Sequence, residues 1–190
     1  MTLPLVRAAK PADFDAIARL TVAAYKADGQ LVDEPDYERL LADVPARAST
    51  GELLVAVDEP TGRVLGSVLF VLPGSPYAQL SGPGEAEFRM LAVDPAAQRR
   101  GAGAALVRAC LDRATELGCR RVRICTRSFS VPAHRLYAKF GFVRTPERDW
   151  SPGPGVELHA LCIDLDAASA PSEAPTPADL ARPAAADVTR

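Results

Sequence analysis

A strand that runs through a proline stop and a basic turn into a glycine-rich helix start restricts this chain more than any other feature. The stretch is Glu85–Leu106, EAEFRMLAVDPAAQRRGAGAAL. Regular alternation would put Phe88, Met90 and Ala92 on one face and Glu87, Arg89, Leu91 and Val93 on the other. Asp94-Pro95 ends the strand, because proline has no amide to give to a ladder. After Gln98-Arg99-Arg100, the residues Gly101-Ala102-Gly103-Ala104 open a helix. Val107, Cys110, Leu111, Ala114 and Leu117 repeat along it at helical spacing, and Gly118 closes it. The first amides of a helix have no intrahelical partner, its dipole is positive there, and residues without bulk let a ligand reach the backbone. The expectation is a cradle for an anion, most naturally a phosphate.

Phosphate-binding turns come in several kinds. A Walker loop carries Gly-Lys-Ser/Thr after its glycines, and here Ala104-Ala105 follow. A dinucleotide fingerprint turns tightly off its strand, wants Gly or Ala where Leu106 stands, and has an acidic residue about twenty positions on. This chain has a long connector from Asp94 to Arg100 and a basic Arg120-Arg121 instead. A third pattern fits. Gln98-Arg99-Arg100-Gly101-Ala102-Gly103 resembles the Q/R-x-x-G-x-G/A acetyl-coenzyme A signature of the GNAT-type N-acetyltransferases. Ahead of it, Met90-Leu91-Ala92-Val93-Asp94-Pro95 resembles that family's splayed fourth strand. Behind it, Ala133–Phe142, AHRLYAKFGF, resembles its A-x-x-L-Y-x-K-x-G-F element.

With 190 residues the chain has the length of one domain with a real core. That domain is expected over residues 1–166, followed by an Ala/Pro-rich tail, 167–190, whose composition predicts disorder. A net charge of -2 and a pI near 5.7 give no sign of a general nucleic-acid binder. No window reaches the length of a membrane span, and the start meets Asp13 and Asp15 early without a long apolar run, so neither a membrane partner nor a signal peptide is expected. Four cysteines without a C-x-x-C pair, beside only His134 and His159, speak against a zinc site and for a reducing cytoplasm.

Along the rest of the chain, Leu3–Ala9 reads as a short strand. A helix from Pro11 turns Phe14, Ile17, Leu20, Thr21 and Ala24 inward, and a second falls within 30–50 around Tyr37, Leu40, Leu41 and Val44. Leu53–Val57 and Val64–Leu72 form a hairpin, and 73–84 is a Pro/Gly/Ser loop of a length that often touches substrate. Arg121–Thr126 reads as a strand parallel to Glu87–Val93, reached by a right-handed crossover. Pro132 starts a helix that Gly141 ends, Phe142-Val143 begins a short strand, 144–155 is a loop holding Trp150, and Val156–Leu165 closes the sheet. This is an α/β chain. With the resemblance, it implies a mixed, mostly antiparallel sheet of about seven strands with a splayed central parallel pair, flanked by about four helices: the acyl-CoA N-acyltransferase fold. The acids Asp28, Asp33, Glu34, Asp36 and Glu38 are either a solvated helix face or a rim that attracts cationic amines.

The resemblance further implies acetyl-CoA as co-substrate, with no metal. Its pantetheine arm would lie between the parted strands against the main chain of Leu91, Ala92 and Val93. Its pyrophosphate would sit at Gln98, Arg99, Arg100, Gly101, Ala102, Gly103 and Ala104. Ser130 stands where many members carry an asparagine seven residues before the family tyrosine, and offers pantetheine a shorter side chain. Attack on a thioester needs a neutral amine, and an alkylammonium has a pKa of about 10.4. Glu87, six residues before Val93, matches the general-base position of histone-type members, with Glu85 as fallback. The Leu91 N–H is the candidate oxyanion donor. Tyr137 matches the tyrosine that lies beside the sulfur and protonates the departing thiolate. Tyr25, Asp33, Tyr37 and Trp150 are candidates to line the acceptor cleft. The expected function is acetyl transfer to a primary amine, of a small molecule or a protein, by a cytoplasmic monomer or homodimer. The alternative is a non-catalytic acyl-CoA-binding sensor module that keeps the cradle and transfers nothing.

Overall fold

The computed structural model describes residues 4–32 and 34–165; Asp33 and the expected tail lie outside the described residues. The strands are β1 Leu5–Ala8, β2 Glu52–Asp58, β3 Arg63–Val71, β4 Glu85–Val93, β5 Arg121–Arg127, β6 Val143–Arg144, β7 Trp150–Gly153 and β8 Val156–Asp164. They form one sheet in the order β1-β2-β3-β4-β5-β8-β6, with β7 also paired to β8. Every neighbouring pair is antiparallel except β4 and β5. The helices are α1 Phe14–Ala27, α2 Pro35–Ala42, α3 Val44–Ala48, α4 Ala102–Glu116 and α5 Val131–Lys139.

The expected fold class is the one observed, with one more strand and one more helix among the described residues. The segment read as a loop around Trp150 forms β7 and pairs with β8 around the turn at Gly155, Trp150 opposite Leu158 and Gly153 opposite Val156. The second helix breaks at Asp43, whose carboxylate accepts the Ala46 N–H at 3.1 Å and so caps a new helix, α3, with Pro45 in its first turn.

Two apolar layers sandwich the sheet. On one side Leu106, Val107, Cys110 and Ala114 of α4 and Tyr137 of α5 meet Phe70, Phe88, Val122 and Ile124. On the other, Ile17 and Leu20 of α1 and Val44 of α3 meet Leu53, Val55, Leu69 and Ala92. Fully burying a side chain of this size stabilises the fold by about 1.5–3 kcal/mol.

The β4 strand does not keep regular alternation. Ser67 of β3 pairs with Ala92 and Leu69 with Arg89, so Met90 and Leu91 together oppose Val68, and Met90 takes a left-handed φ of 53°. That is a β-bulge, and it shifts the phase of the strand by one residue. Ala86, Phe88, Leu91 and Val93 therefore belong to the α4 side, while Ala92 joins the α1 side. Glu87 and Leu91, expected on a shared face, lie on opposite faces. A bulge depends on pairing with β3, which no alternation pattern within β4 records.

The parallel ladder is short. It joins Glu85–Glu87 to Arg121–Arg123 and goes no further, although both strands continue. Its start is clamped by charge: Arg123 donates to both carboxylate oxygens of Glu85 at 2.6 and 3.0 Å, and Gly82 N–H adds a third bond at 3.0 Å. Both side chains are about 5% exposed. Burial raises the Glu85 carboxyl, but the Arg123 and Gly82 hydrogen bonds outweigh it and hold the group below its ordinary value. The stability this contributes is present above the unfolded carboxyl pKa of about 4.3 and is lost as pH falls through the folded one. Arg123→Met strands a buried carboxylate and is expected to cost about 3 kcal/mol in urea unfolding at pH 7. The deficit should shrink as pH falls into the carboxylate range, because without Arg123 burial raises Glu85 and the variant takes a proton there before the native protein does.

Candidate active site

Past Glu87 the parted strands leave a cleft of about 920 Å³. Its walls are Phe88–Val93 of β4, Cys125–Arg127 of β5, the end of α1 with Asp28 and Gln30, the inner side of α5, and the start of α4. Of the residues expected to hold the cofactor, Leu91, Ala92, Val93, Gln98, Arg99, Gly101, Ala102, Gly103, Ala104, Ser130 and Tyr137 line it. Arg100 does not. Its guanidinium binds the Asp58 carboxylate at 2.8 Å, at the end of β2.

The start of α4 is built for an anion. Arg99 and Gly101 both have left-handed backbones, φ 63° and 84°, which swing the chain from the short turn at Pro95–Ala97 into the helix. Ala105 N–H to Gly101 O at 2.9 Å is the helix's entering bond, and no side chain caps the end. The amides of Ala102, Gly103 and Ala104 precede that bond and are the helix's unpaired donors. A side chain at Gly103 would come within 3.3 Å of Leu136 and 3.5 Å of Val93, so a glycine there lets α4, α5 and β4 crowd together. Arg99 is exposed and has no ion-pair partner among the described residues. Arg135 and Lys139 of α5 also line this part of the cleft. Neither is among the residues expected to hold the cofactor, though two cations four residues apart on a helix share a face.

Tyr137 projects into the same cleft from the core, 6% exposed, its ring 6.0 Å from Phe88 and 5.7 Å from Phe142. Burial, helped by the neighbouring Cys125 and Cys110, pushes its hydroxyl far above the ordinary phenol value. The group stays protonated at any physiological pH. Leu91 has no partner in either ladder, opposed to β3 only through the bulge and lying beyond the end of the β4–β5 pairing. Ser130 is the N-cap residue of α5 and donates its hydroxyl to Asp28 at 2.7 Å, which leaves its lone pairs to accept.

Glu87 is fully buried and is not part of the cleft wall. The 73–84 loop folds back over it: Oε2 accepts the N–H groups of Gln79, Leu80 and Ser81 at 2.9, 2.8 and 3.1 Å. Oε1 has no hydrogen-bond partner and lies 3.8 Å from Arg89 Nε. Glu85 is held by Arg123 and Gly82, with Arg120 and Arg121 each 3.7 Å from its Oε1, at the closed end of the ladder. Of the acceptor-side candidates, Tyr25 lines the cleft, with Tyr37 against its ring edge-to-face at 5.9 Å. Trp150 sits in β7 outside the cleft wall. Three of the acids of the first third are engaged: Asp28 by Ser130 and Gln30, Asp36 by Arg39, and Glu38 by Lys26 at 2.7 Å. Among the described residues, no group of three or more His, Cys, Asp and Glu could hold a metal ion, and no helix is long and apolar enough to cross a membrane.

A sheet split beside an uncapped helix start is the architecture of the acyl-CoA N-acyltransferases. Residues 14–142 match the Acetyltransferase (GNAT) family, and the chain belongs to that family. Solved structures agree on the fold. The Salmonella typhimurium protein yncA, determined with its cofactor acetyl-CoA, is 24% identical and superimposes with a TM-score of 0.64 over 91% of this chain and 100% of its own. The ribosomal-protein-S18-alanine N-acetyltransferase of Escherichia coli is 19% identical, TM-score 0.61, over 86% and 93% of the two chains. A GCN5-related N-acetyltransferase of Kribbella flavida is 28% identical, TM-score 0.59, over 85% and 97%. No curated protein matches the chain.

The cradle makes a contrast that calorimetry can read. Arg99→Gln removes an unpaired cation from the cleft mouth and should weaken acetyl-CoA binding about tenfold with little change in stability. Arg100→Gln, whose side chain is tied to Asp58, should weaken it less than about threefold.

Proposed function

We propose that this protein transfers the acetyl group of acetyl-CoA to a primary amine by direct attack within the cleft. The observation that carries the reading is the coincidence of three features: free amides at the start of α4, unpaired backbone on β4 beyond Glu87, and a buried tyrosine facing the gap. The residues present suit the donor. Ala102, Gly103 and Ala104 would give their amides to its diphosphate, with Arg99 supplying charge. Leu91 to Val93 would pair through their main chain with the pantetheine amides, and Ser130 would accept from one of them.

Three groups divide the chemistry. Glu87 is the general base. Its Oε1 is the oxygen left unengaged, and since the carboxylate is buried outside the cleft wall, the amine's proton reaches it through water. The Leu91 N–H, free of both ladders, donates to the oxyanion that develops on the thioester carbonyl. Tyr137 gives its proton to the departing thiolate, and the raised phenol guarantees that it has one to give.

Free thiol release from acetyl-CoA, followed across a panel of amines, tests the reading. Glu87→Gln keeps an oxygen for the three loop amides, so it should leave acetyl-CoA binding intact while lowering the rate about 10²–10⁴-fold. Tyr137→Phe should do the same. In the native protein, no loss of rate attributable to Tyr137 is expected below about pH 10, the ordinary phenol value, because burial moves that group upward. Tight donor binding with no thiol release from any amine would favour a sensor module over an enzyme.

A further inference from the structure

The cleft carries cationic charge at the end away from the phosphate cradle as well. Arg89 and Arg127 both line it. Arg127 is 7% exposed and the Arg89 side chain 12%. Arg89 donates to the Tyr77 carbonyl at 2.9 Å and Arg127 to the Gln30 carbonyl at 3.1 Å, which places both among the segments that carry Tyr25, Tyr37 and the 73–84 loop. The charges of both bear on the Tyr37 phenol. They therefore converge on the acceptor side.

Buried guanidiniums ordinarily face carboxylates, because an unpaired charge away from water is costly. Here the pairing falls short. The nearest carboxylate oxygen to Arg89 is Glu87 Oε1 at 3.8 Å, beyond hydrogen-bond range, and among the described residues Arg127 has no carboxylate within ion-pair distance. Arg47 lies behind them, fully buried, with Nε and Nη1 lacking acceptors, and it too is close to the phenols of Tyr25, Tyr77 and Tyr37. Among the described residues Glu87 is the one carboxylate within 4 Å of any of these three cations, and it is already held by three amides; Asp43 acts on Arg47 from farther off, and Asp28, which also lines the cleft, is engaged by Ser130 and Gln30. A polyamine or a lysine side chain would add positive charge to this cluster. An amine with an otherwise neutral body would leave it unbalanced.

We propose that the acceptor is a small amino acid whose carboxylate is received by Arg127 and Arg89 while its amine faces the gap between β4 and β5. A guanidinium presents a planar fork of donors that matches a carboxylate in two bonds. The donor shares the same cleft, which leaves room for a small acceptor. This inference rests on the acetyl-transfer reading and narrows its substrate.

The test follows thiol release by the full chain at saturating acetyl-CoA. The acceptors are the common L-amino acids, the carboxamide and the decarboxylated amine of each, spermidine, and short peptides with a free N-terminus. At least one amino acid should exceed its own carboxamide and amine about tenfold or more in kcat/KM. Arg127→Gln should raise KM for that amino acid about 10–100-fold, the loss of a charge-assisted contact, while moving KM for the carboxamide less than about twofold. Arg127→Lys should recover part of the loss. Acetyl-CoA binding heat in each variant confirms the folded cleft, and Arg89→Gln replaces Arg127→Gln if that heat disappears. Equal use of amino acid and carboxamide, preference for spermidine or peptides, or equal effects of Arg127→Gln on both partners would overturn the carboxylate assignment and leave acetyl transfer standing. Intact donor binding with no thiol release from any acceptor would overturn acetyl transfer, and this inference with it.

Discussion

The cleft exists because the parallel ladder between β4 and β5 is only as long as Glu85–Glu87 against Arg121–Arg123. Up to that point the strands are held by backbone bonds and by the buried Glu85–Arg123 pair. Beyond it β4 follows β3, and β5 follows β8 along its full length, each keeping one side of its backbone satisfied. The other side of each is left open. Backbone donors and acceptors away from bulk water are costly unless something pairs with them, so the gap favours an extended partner with amides of its own. A longer ladder would have produced a continuous sheet and no site.

The bulge at Met90 and Leu91 sets what each side of the gap offers. Holding a non-glycine residue at a φ of 53° costs on the order of 1 kcal/mol, and the neighbouring pairs Ser67–Ala92 and Leu69–Arg89 hold it in place. The extra residue aims Leu91 and Val93 at the α4 side, beside the cradle, and leaves Glu87 and Arg89 toward α1 and the 73–84 loop. In the proposed reaction, donor and acceptor chemistry would thereby be sorted to opposite faces of one strand. Charge follows the same division. Arg99, Arg135 and Lys139 stand exposed at the mouth, where a solvated phosphate can meet them, while Arg89 and Arg127 are buried.

Much of this was legible in the sequence because the signals are local. Pro95 stops a strand, Gly101 permits the left-handed turn, and the apolar repeat from Val107 to Leu117 needs no distant information, so the cradle and its helix followed from a short stretch. Other features depend on residues far along the chain. Arg100 looks like a second phosphate ligand until Asp58, forty-two positions away, turns out to hold it. Glu87 reads as a base within the site, and only the return of 79–81 over it shows that the carboxylate is buried outside the cleft wall. The hairpin at Trp150 is masked by the prolines around it, since its pairing runs along an edge where proline is tolerated. The bulge itself is a property of two strands in register, and an alternating pattern written on one of them points to the wrong face.

The bulge decides how the proposed chemistry would work. If β4 were regular, the Glu87 and Leu91 side chains would share a face, and the carboxylate would lie on the α4 side with the cradle. With the bulge, Glu87 lies toward α1 under its loop while Tyr137 lies in the opposite apolar layer with α4. The two can act on one molecule only where the sheet between them is missing. In the proposed reaction the acceptor's amine would meet one face of that opening and the donor's departing thiolate the other, so that one proton would leave the amine toward Glu87 while another would reach the sulfur from Tyr137. The same short ladder that makes room for the donor's arm is what connects the two proton-handling faces. On the proposed mechanism, binding and proton transfer therefore rest on a single structural fact, the short β4–β5 ladder, and moving either residue along its own element would not tune them apart.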